Sequence, residues 1–187
     1  MIDDIKTAIA VLQKGGIILY PTDTIWGLGC DAINEDAVQR IYAIKNRVDS
    51  KSMLVLMENA ALIERYVDEV PDIAYDLIEL TDKPLTIIYN AAKNLAKNLI
   101  ADDGSIGIRI TSEAFSSELI RRFKRPIVST SANISGNPSP TCFNEIDQEI
   151  IDSVDYVVKY RQDETTKAVP SSIMKLGRGG EIKIIRP

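Results

Sequence analysis

Residues 17–29 read IILYPTDTIWGLG, and the order of residue types in this stretch sets the expectation for the fold. Its first four residues, 17–20, are all apolar, and Pro21 ends the run. A short apolar run of this kind is typical of a buried strand in the sheet of an α/β protein. The polar residues that follow therefore lie at the end of a strand, where α/β proteins bind their ligands.

The second half of this stretch offers the groups of a binding site. Thr22 and Thr24 contribute hydroxyls and Asp23 a carboxylate, while Gly27 and Gly29 permit close approach of the backbone. The alternative is a tight turn held by an Asx-type hydrogen bond from Asp23, with Trp26 in the core. Composition alone leaves both interpretations open.

The rest of the chain alternates between helical and strand patterns without a long linker. Apolar spacing predicts helices near residues 5–12, 34–44, 60–66, 71–80, 112–123 and 144–151, and strands near residues 53–57, 85–89, 106–110, 126–128, 156–160, 172–176 and 181–186. This mixture predicts a three-layer α/β (α+β) fold with a mixed sheet, in a single domain of residues 1–187. The last two strands surround Gly177–Gly180 and predict a hairpin, so the sheet should not be purely parallel.

The composition excludes several kinds of chemistry. The 187 residues include no His, which excludes Ser-His-Asp and Cys-His catalytic sets, His metal ligands and acid/base steps by His. Two cysteines are too few for a cysteine-rich zinc site or a disulfide scaffold, and we interpret them as free thiols in the cytoplasm. The net charge of -5 argues against nucleic-acid binding by the whole surface, but a local basic groove remains compatible with it.

No targeting or membrane segment is predicted. The longest apolar runs are far shorter than the roughly 18 residues that a membrane span needs. The first ten residues, MIDDIKTAIA, lack the basic start of a signal peptide. We therefore expect a cytoplasmic protein without a membrane partner.

Three cations follow the predicted helix 34–44 within seven positions: Lys45, Arg47 and Lys51. The fork of an arginine and the point charge of a lysine are the groups that hold a polyphosphate. The alternative is that they cap the helix, because its C-terminus attracts cations. If Lys45 and Arg47 hold a polyphosphate, we expect their charged ends to face solvent or the phosphates. Alanine at either position should then remove activity with little loss of stability.

Arg109 lies within IGIRI, an otherwise apolar strand that follows Ser105. A buried guanidinium needs a carboxylate or phosphate partner, from the protein or from a ligand. If the strand is at the edge of the sheet, the side chain can instead face solvent.

Two more polar stretches stand out. Residues 129–141 read STSANISGNPSPT, in which six of thirteen residues are Ser or Thr, and such hydroxyls and turn amides form anion-binding concavities. Residues 121–125 read RRFKR. They suit an RNA-backbone patch, but a solvated helix end is the interpretation we favour. The chain contains neither a P-loop motif nor GxGxxG.

Together these segments resemble the YrdC/Sua5 (YciO/YrdC/YwlC) family of threonylcarbamoyl-adenylate synthases. The resemblance rests on PTDTIWGLG at 21–29, KNR at 45–47, IGIRI at 106–110 and STSANISGNPSPT at 129–141, with PSSI at 170–173 and IIRP at 184–187 as weaker matches. The motifs cover nearly the whole chain in the order of the family. Because the sequence ends at IIRP, it is similar to the short single-domain form, without the extra C-terminal domain of Sua5-type members.

The resemblance implies a fold and a reaction. The fold is a YrdC/RibB-like open, twisted mixed β-sheet flanked by helices, with a concave, positively charged cavity. L-threonine and bicarbonate form a carbamate, whose oxygen attacks the α-phosphate of ATP to give threonylcarbamoyl-AMP and pyrophosphate. A partner complex then transfers the threonylcarbamoyl group to adenosine 37 of tRNAs that read ANN codons, and tRNA contacts the protein directly or through that complex. Mg²⁺ arrives with ATP, held by phosphate oxygens and water, without a metal site in the protein.

The match to the family motifs also implies roles for individual residues. The catalytic cations that neutralise the triphosphate are Lys45 and Arg47, with Lys51 beside them. The further ATP contacts are Ser105, Ser131, Asn133, Ser139 and Arg186, of which Asn133 either orders its loop or contacts a phosphate. The threonine contacts are Thr24, Arg109, Ser129 and Ser171, with Arg109 as the partner of the threonine carboxylate.

Four positions depart from the usual family pattern: Val48 and Ser52 replace prolines, Leu56 replaces a histidine, and Lys175 replaces an aspartate. These departures leave two alternatives open. One is a YciO-like paralogue with a different substrate, and the other is a non-catalytic RNA-binding module that uses the concave cavity.

Overall fold

The computed structural model describes residues 1–46 and 53–187, in which nine strands form one sheet. The strands are β1 (Ile18–Tyr20), β2 (Gly27–Gly29), β3 (Leu54–Met57), β4 (Leu85–Tyr89), β5 (Ile106–Ile110), β6 (Ile127–Ser131), β7 (Tyr156–Val157), β8 (Ser172–Leu176) and β9 (Ile182–Arg186). The α-helices are α1 (Ile2–Gln13), α2 (Glu35–Ile44), α3 (Ile73–Leu80), α4 (Ala114–Phe123) and α5 (Gln148–Asp152).

The sheet is mixed, with the strand order β7-β1-β2-β6-β3-β5-β4-β8-β9. Three neighbouring pairs are parallel, namely β1 with β7, β3 with β5, and β4 with β8, and the other pairs are antiparallel. The expected α/β fold with a twisted mixed sheet flanked by helices is confirmed. The predicted hairpin is confirmed as well, since β8 and β9 pair in antiparallel register.

Local sequence explains where the helices begin and end. The side chain of Asn34 accepts a hydrogen bond from the backbone N–H of Ala37 (3.0 Å) and caps α2. Glu113 caps α4 in the same way, through the N–H of Ser116 (2.7 Å). Lys124 then ends α4 in the left-handed conformation, with a φ of 62°. Within residues 1–46 and 53–187, no helix has the length and apolar character needed to cross a bilayer.

The segment 27–29 is a strand and not only part of a loop, which the sequence analysis missed. It is three residues long, and two of them are glycines, so it carries little of the periodicity that predicts strands. It pairs with β1 on one side and β6 on the other. This central position explains the glycines: a Cβ on Gly29 would lie 2.6 Å from Cε1 of Tyr20 and 3.0 Å from the carbonyl oxygen of Val128.

Four other boundaries differ from the expected ones. β6 continues to Ser131 instead of ending at residue 128, because it pairs with β2 as well as with β3. Residues 60–65 form a 3-10 helix. The expected helix 144–151 divides into a 3-10 turn at 143–145 and the short helix α5, and β7 ends at Val157. Such boundaries depend on pairing partners that are distant in sequence.

Replacing Gly29 with alanine is expected to lower the free energy of unfolding by about 1–3 kcal/mol, because the new methyl group would overpack a buried strand pair. Thermal unfolding of the variant should show a clearly lower Tm than that of the wild type. Gly107→Ala is the control, since the nearest atoms to its added Cβ are side-chain carbons at 3.3 and 3.4 Å. An equal Tm for Gly29→Ala and the wild type would contradict the close approach of the strands.

Candidate functional site

A cavity of about 190 Å³ opens at one edge of the sheet, and we call it the main cavity. Gly27 at the beginning of β2 pairs with Ser131 at the end of β6. Leu54 at the beginning of β3 pairs with Ser129, also in β6. All four residues line the main cavity, so the Ser/Thr-rich segment and the glycine-containing strand meet there as a consequence of strand register.

The main cavity gathers most of the side chains that the family motifs single out. Seven of them line it: Thr24, Arg109, Ser129, Ser131, Ser139, Ser171 and Arg186. Three of them are not among its lining residues: Lys45, Ser105 and Asn133. Arg47 and Lys51, like the substituted positions Val48 and Ser52, lie outside the described residues.

The turn between β1 and β2 is held by Thr22, not by an Asx-type bond from Asp23. The hydroxyl of Thr22 donates to the carbonyl of Ile25 (2.9 Å) and accepts from the N–H of Thr24 (3.0 Å). The hydroxyl of Thr24 lies 3.0 Å from that of Thr22 and belongs to the cavity wall. The threonines thus form the turn, which leaves the carboxylate of Asp23 available for a partner from another strand.

That partner is Arg109. Its Nη2 lies 3.0 Å from Oδ1 of Asp23, and the two side chains are only 4% and 11% exposed. Burial raises the pKa of the Asp23 carboxyl above its usual range, although the nearby positive charge of Arg109 opposes the shift. The expected need of this buried guanidinium for an anion is therefore met in part by the protein itself.

Arg109 nevertheless keeps capacity for a second anion. Its buried Nε has no hydrogen-bond partner within residues 1–46 and 53–187, and the side chain lines the main cavity. A buried N–H group without a partner is unfavourable by about 1–3 kcal/mol. Because the side chain of Arg109 lines the cavity, its positive charge there favours an anionic ligand.

A second guanidinium stands at the same cavity. Nε of Arg186 donates to the carbonyl oxygen of Ser171 (2.8 Å), and the hydroxyl of Ser171 lies 2.8 Å from that of Thr86. Partial burial and the charge of Arg109 lower the pKa of Arg186. Because two like charges face one space, binding an anion between them would relieve their repulsion.

Lys45 does not face solvent, and this corrects the sequence-based expectation. Its side chain is only 2% exposed, and Nζ donates to the carbonyl oxygens of Ser131 (2.5 Å) and Asn133 (2.6 Å). The helix end that we expected to be solvated packs instead against the Ser/Thr-rich loop. Lys45 therefore fixes the backbone of the segment that forms one wall of the main cavity.

Asn133 orders the same loop from within. Its Nδ2 donates to the carbonyl oxygens of Ile134 (3.0 Å) and Asn137 (2.8 Å), while its buried Oδ1 has no partner in the described chain. Of the two roles considered for Asn133, the structure shows the ordering of the loop. With Lys45, it holds Ser131 and Ser139 at the cavity.

Ser105 and the substituted position Lys175 share one partner outside the main cavity. The hydroxyl of Ser105 donates to Oδ1 of Asp103 (2.5 Å), and the ammonium of Lys175 contacts Oδ2 of the same carboxylate (2.7 Å). The hydrogen bonds from Lys175 and Ser105 lower the pKa of Asp103 to about 2. The lysine at position 175 thus has a structural partner in this protein.

The lowered pKa of Asp103 predicts a weak pH dependence of stability. Because the folded-state pKa is below the ordinary value of 3.8, the stabilisation is present above pH 4 and is lost as the pH falls towards 2. The pair is solvent-exposed, so Lys175→Ala should lower the free energy of unfolding by under about 1 kcal/mol at pH 7, and by less at pH 3. Urea unfolding at both pH values measures this, with the exposed Lys97→Ala as the control. A larger loss at pH 3 than at pH 7 would contradict the assignment.

The main cavity also has an apolar side. Ile25, Trp26 and Met53 line it, and the ring of Trp26 packs against Phe143 with a centroid distance of 4.9 Å. The core position proposed for Trp26 is confirmed, since it is 6% exposed. A small ligand that carries both an apolar and an anionic group suits this combination of walls.

Sequence reasoning missed several residues that the structure brings to the cavity. Thr130, Pro170 and Ile173 line it. Asp23 was expected at the site, but its ion pair with Arg109 was not. Thr130, Pro170 and Ile173 lie inside the motifs 129–141 and 170–173, so they could have been predicted as cavity residues from the sequence. The pairing of Asp23 with Arg109 joins residues far apart in the sequence and carried no local signal.

Comparison with known proteins connects this geometry with a family. The sequence profile of the Sua5/YciO/YrdC family, described as "Telomere recombination", matches residues 10–187. The chain belongs to this family. Within it, the threonylcarbamoyl-AMP synthase of Pseudoalteromonas translucida is 35% identical over 157 residues, which are 82% of this chain and 84% of the relative. The threonylcarbamoyl-AMP synthase of Xanthomonas euvesicatoria is 30% identical over 182 residues, 96% of each chain.

A solved member of the Sua5/YciO/YrdC family has the same fold. The crystal structure of P. abyssi Sua5 complexed with L-threonine superposes with a TM-score of 0.89 at 26% identity. The alignment covers 98% of this chain and 53% of the Sua5 chain, so this chain spans about half the length of that protein.

Proposed function

We propose that this member of the Sua5/YciO/YrdC family is a threonylcarbamoyl-AMP synthase. It converts L-threonine, bicarbonate and ATP into threonylcarbamoyl-AMP and pyrophosphate. The observation that carries the proposal is the buried Arg109, with an unpaired Nε at a cavity that hydroxyl groups and a second guanidinium also line. The names of the curated relatives support the same activity.

The threonine side of the cavity is built around Arg109. The guanidinium binds the threonine carboxylate, which gives Nε the acceptor that it lacks. Thr24, Ser129 and Ser171 surround it with hydroxyls that can bind the amino acid's polar groups. The apolar side at Trp26 suits the threonine methyl group. A ligand that leaves any of these buried hydroxyls or N–H groups without a hydrogen bond binds more weakly. The site would therefore select the amino acid that pairs all of them.

The phosphate side lies at Ser131, Ser139 and Arg186, which line the same cavity. Arg47 and Lys51 add positive charge for the triphosphate, as the family motif implies. Lys45 and Asn133 act as positioning residues, because their side chains hold loop carbonyl and amide groups. Ser105 contributes to ATP binding indirectly: its hydroxyl donates to Asp103 and so holds the loop before β5.

The reaction needs positioning and charge neutralisation more than a covalent residue. The amine of threonine forms a carbamate with bicarbonate and releases water. A carbamate oxygen then forms a bond to the α-phosphorus of ATP, and the bond to pyrophosphate breaks. Arg186 and the hydroxyls of the loop stabilise the charge on the phosphates. The absence of His from the chain is compatible with this chemistry.

Mg²⁺ would enter with ATP. Among the described residues, no group of three or more Cys, Asp or Glu side chains could hold a metal ion, and Asp23 is engaged by Arg109. As the family resemblance implies, the ion would be bound mainly by phosphate oxygens and water. When bound, it would neutralise part of the negative charge of the triphosphate.

The product would serve tRNA modification in the cytoplasm. Threonylcarbamoyl-AMP is a mixed anhydride that is activated for transfer, so a partner complex that passes the group to an adenosine of tRNA would consume it. The proposed activity and the resemblance to the family both imply such a partner complex.

The test is pyrophosphate release by the purified protein with ATP and Mg²⁺. Release that requires both threonine and bicarbonate, with the threonylcarbamoyl adenylate detected by mass spectrometry, is expected. L-serine is the matched control substrate, because it lacks only the methyl group. Equal rates with serine and threonine would contradict the apolar side of the site, and no turnover with any amino acid would refute the proposal.

A further inference from the structure

A second cavity, of about 220 Å³, lies away from the main cavity. Met57 at the end of β3 and Pro126 just before β6 line it, whereas Leu54 and Ser129 in the same two strands line the main cavity. Leu54 and Met57 are three positions apart in β3, which is roughly 10 Å along a strand. The second cavity is therefore at the opposite edge of the sheet, and the proposed synthase reaction does not use it.

The second cavity is strongly basic in a protein of net negative charge. Four cations line it, Arg65, Arg121, Lys124 and Arg125, against one carboxylate, Glu58. They come from two separate segments of the chain, the 3-10 helix 60–65 and the end of α4. Such a concentration of positive charge favours an anionic ligand.

Two of these cations have no carboxylate partner in the part of the chain that the structure describes. Arg121 forms an ion pair with Glu118 (2.7 Å) and Arg125 with Asp31 (2.8 Å). Within residues 1–46 and 53–187, neither Arg65 nor Lys124 has an acidic group within ion-pair distance, and both are exposed. They are therefore able to neutralise a ligand phosphate without breaking an existing ion pair.

The cavity also has apolar and aromatic walls between its cations. Tyr66 and Leu62 are half-buried there, and Pro126 is buried. An aromatic ring beside a basic rim suits a base that stacks while its phosphate contacts the cations. Inorganic phosphate would use the cations but not the ring.

We propose that the second cavity binds a nucleotide, with its base against Tyr66 and its phosphate between Arg65 and Lys124. The ligand is either a free nucleotide or an unstacked unit of single-stranded RNA, which share this chemistry. The site revises our interpretation of the basic run 121–125 as only a solvated helix end. It goes beyond the proposed synthase activity and does not depend on it.

The test compares two double variants with the same change in net charge. Arg65→Glu/Lys124→Glu alters the second cavity, and Lys6→Glu/Lys183→Glu alters exposed cations that do not line it. Binding of a labelled single-stranded RNA is measured by anisotropy at two salt concentrations, and binding of AMP by calorimetry. We expect at least a tenfold loss of affinity for the first variant, with a salt slope smaller by about 1 to 2. The second should change affinity less than threefold.

The two ligands distinguish the source of the nucleotide. Loss of both AMP and RNA affinity supports a free nucleotide, and loss of RNA affinity alone supports RNA. Tyr66→Phe should retain binding and Tyr66→Ala should lose it. Equal affinities in the two double variants, or competition by inorganic phosphate as effective as that by AMP, would overturn the proposal. Pyrophosphate release by both double variants should match the wild type, so this test and that of the proposed function fail separately.

Discussion

The Arg109→Lys variant is expected to need about 10- to 100-fold more threonine for half-maximal pyrophosphate release, with a much smaller change for ATP. Lysine keeps the positive charge beside Asp23, so the buried carboxylate keeps a partner. It lacks the planar fork that binds a carboxylate through two N–H groups. Hydrogen bonds to charged groups are worth about 1.5–3 kcal/mol, which corresponds to this range of affinity.

Initial rates over a matrix of threonine and ATP concentrations measure this effect. Arg40→Lys is the matched control, because Arg40 also pairs with an aspartate, Asp155, but is exposed and does not line the main cavity. It should leave both concentration dependences unchanged. Arg109→Ala is less informative, since it would leave Asp23 buried without its partner and reduce stability. If Arg109→Lys raised the half-maximal concentrations of threonine and ATP equally, the threonine carboxylate would bind elsewhere.

Lys45→Ala is expected to destabilise the protein by about 3 kcal/mol. The change removes a charged donor from the carbonyl oxygens of Ser131 and Asn133, and each hydrogen bond to a charged group accounts for about 1.5–3 kcal/mol. The carbonyl of Ser131 still accepts from the backbone N–H of Asn133 (2.9 Å), so the carbonyl of Asn133 is the one that loses its partner. For a chain of this length, the Tm should fall by roughly 6–12 °C. This outcome is the opposite of what a solvated lysine would predict.

Differential scanning calorimetry of the wild type, Lys45→Ala and Lys14→Ala tests the role of the buried ammonium. Lys14 is an exposed lysine at the end of α1, so its removal should shift the Tm only slightly. Pyrophosphate release by Lys45→Ala should be lost even at temperatures where the variant remains folded, because the loop that carries Ser131 is no longer held. A wild-type Tm for Lys45→Ala would show that the ammonium does not hold this loop.

The sequence by itself determined the class of fold and the position of most cavity residues. Helical spacing, apolar runs and the asparagine cap of α2 act within a few neighbouring residues, so they could be interpreted locally. The motifs 21–29, 106–110, 129–141, 170–173 and 184–187 together identified seven side chains that line the main cavity. Ser129 and Ser131 reach the cavity through the register of β6 with β2 and β3, whereas Thr24, Ser139 and Ser171 reach it from segments outside the strands.

Only the tertiary structure decided how the charged groups are paired. Arg109 meets Asp23 through the packing of β5 against the β1–β2 turn, and Lys45 reaches carbonyls about ninety residues away. The second cavity joins Arg65 to Lys124 in the same way. Whether a charge is solvated or buried depends on which segments surround it, and that is set by the order and register of the strands. Local sequence specifies the elements, whereas the free energy of a buried charge depends on partners that only the assembled fold supplies.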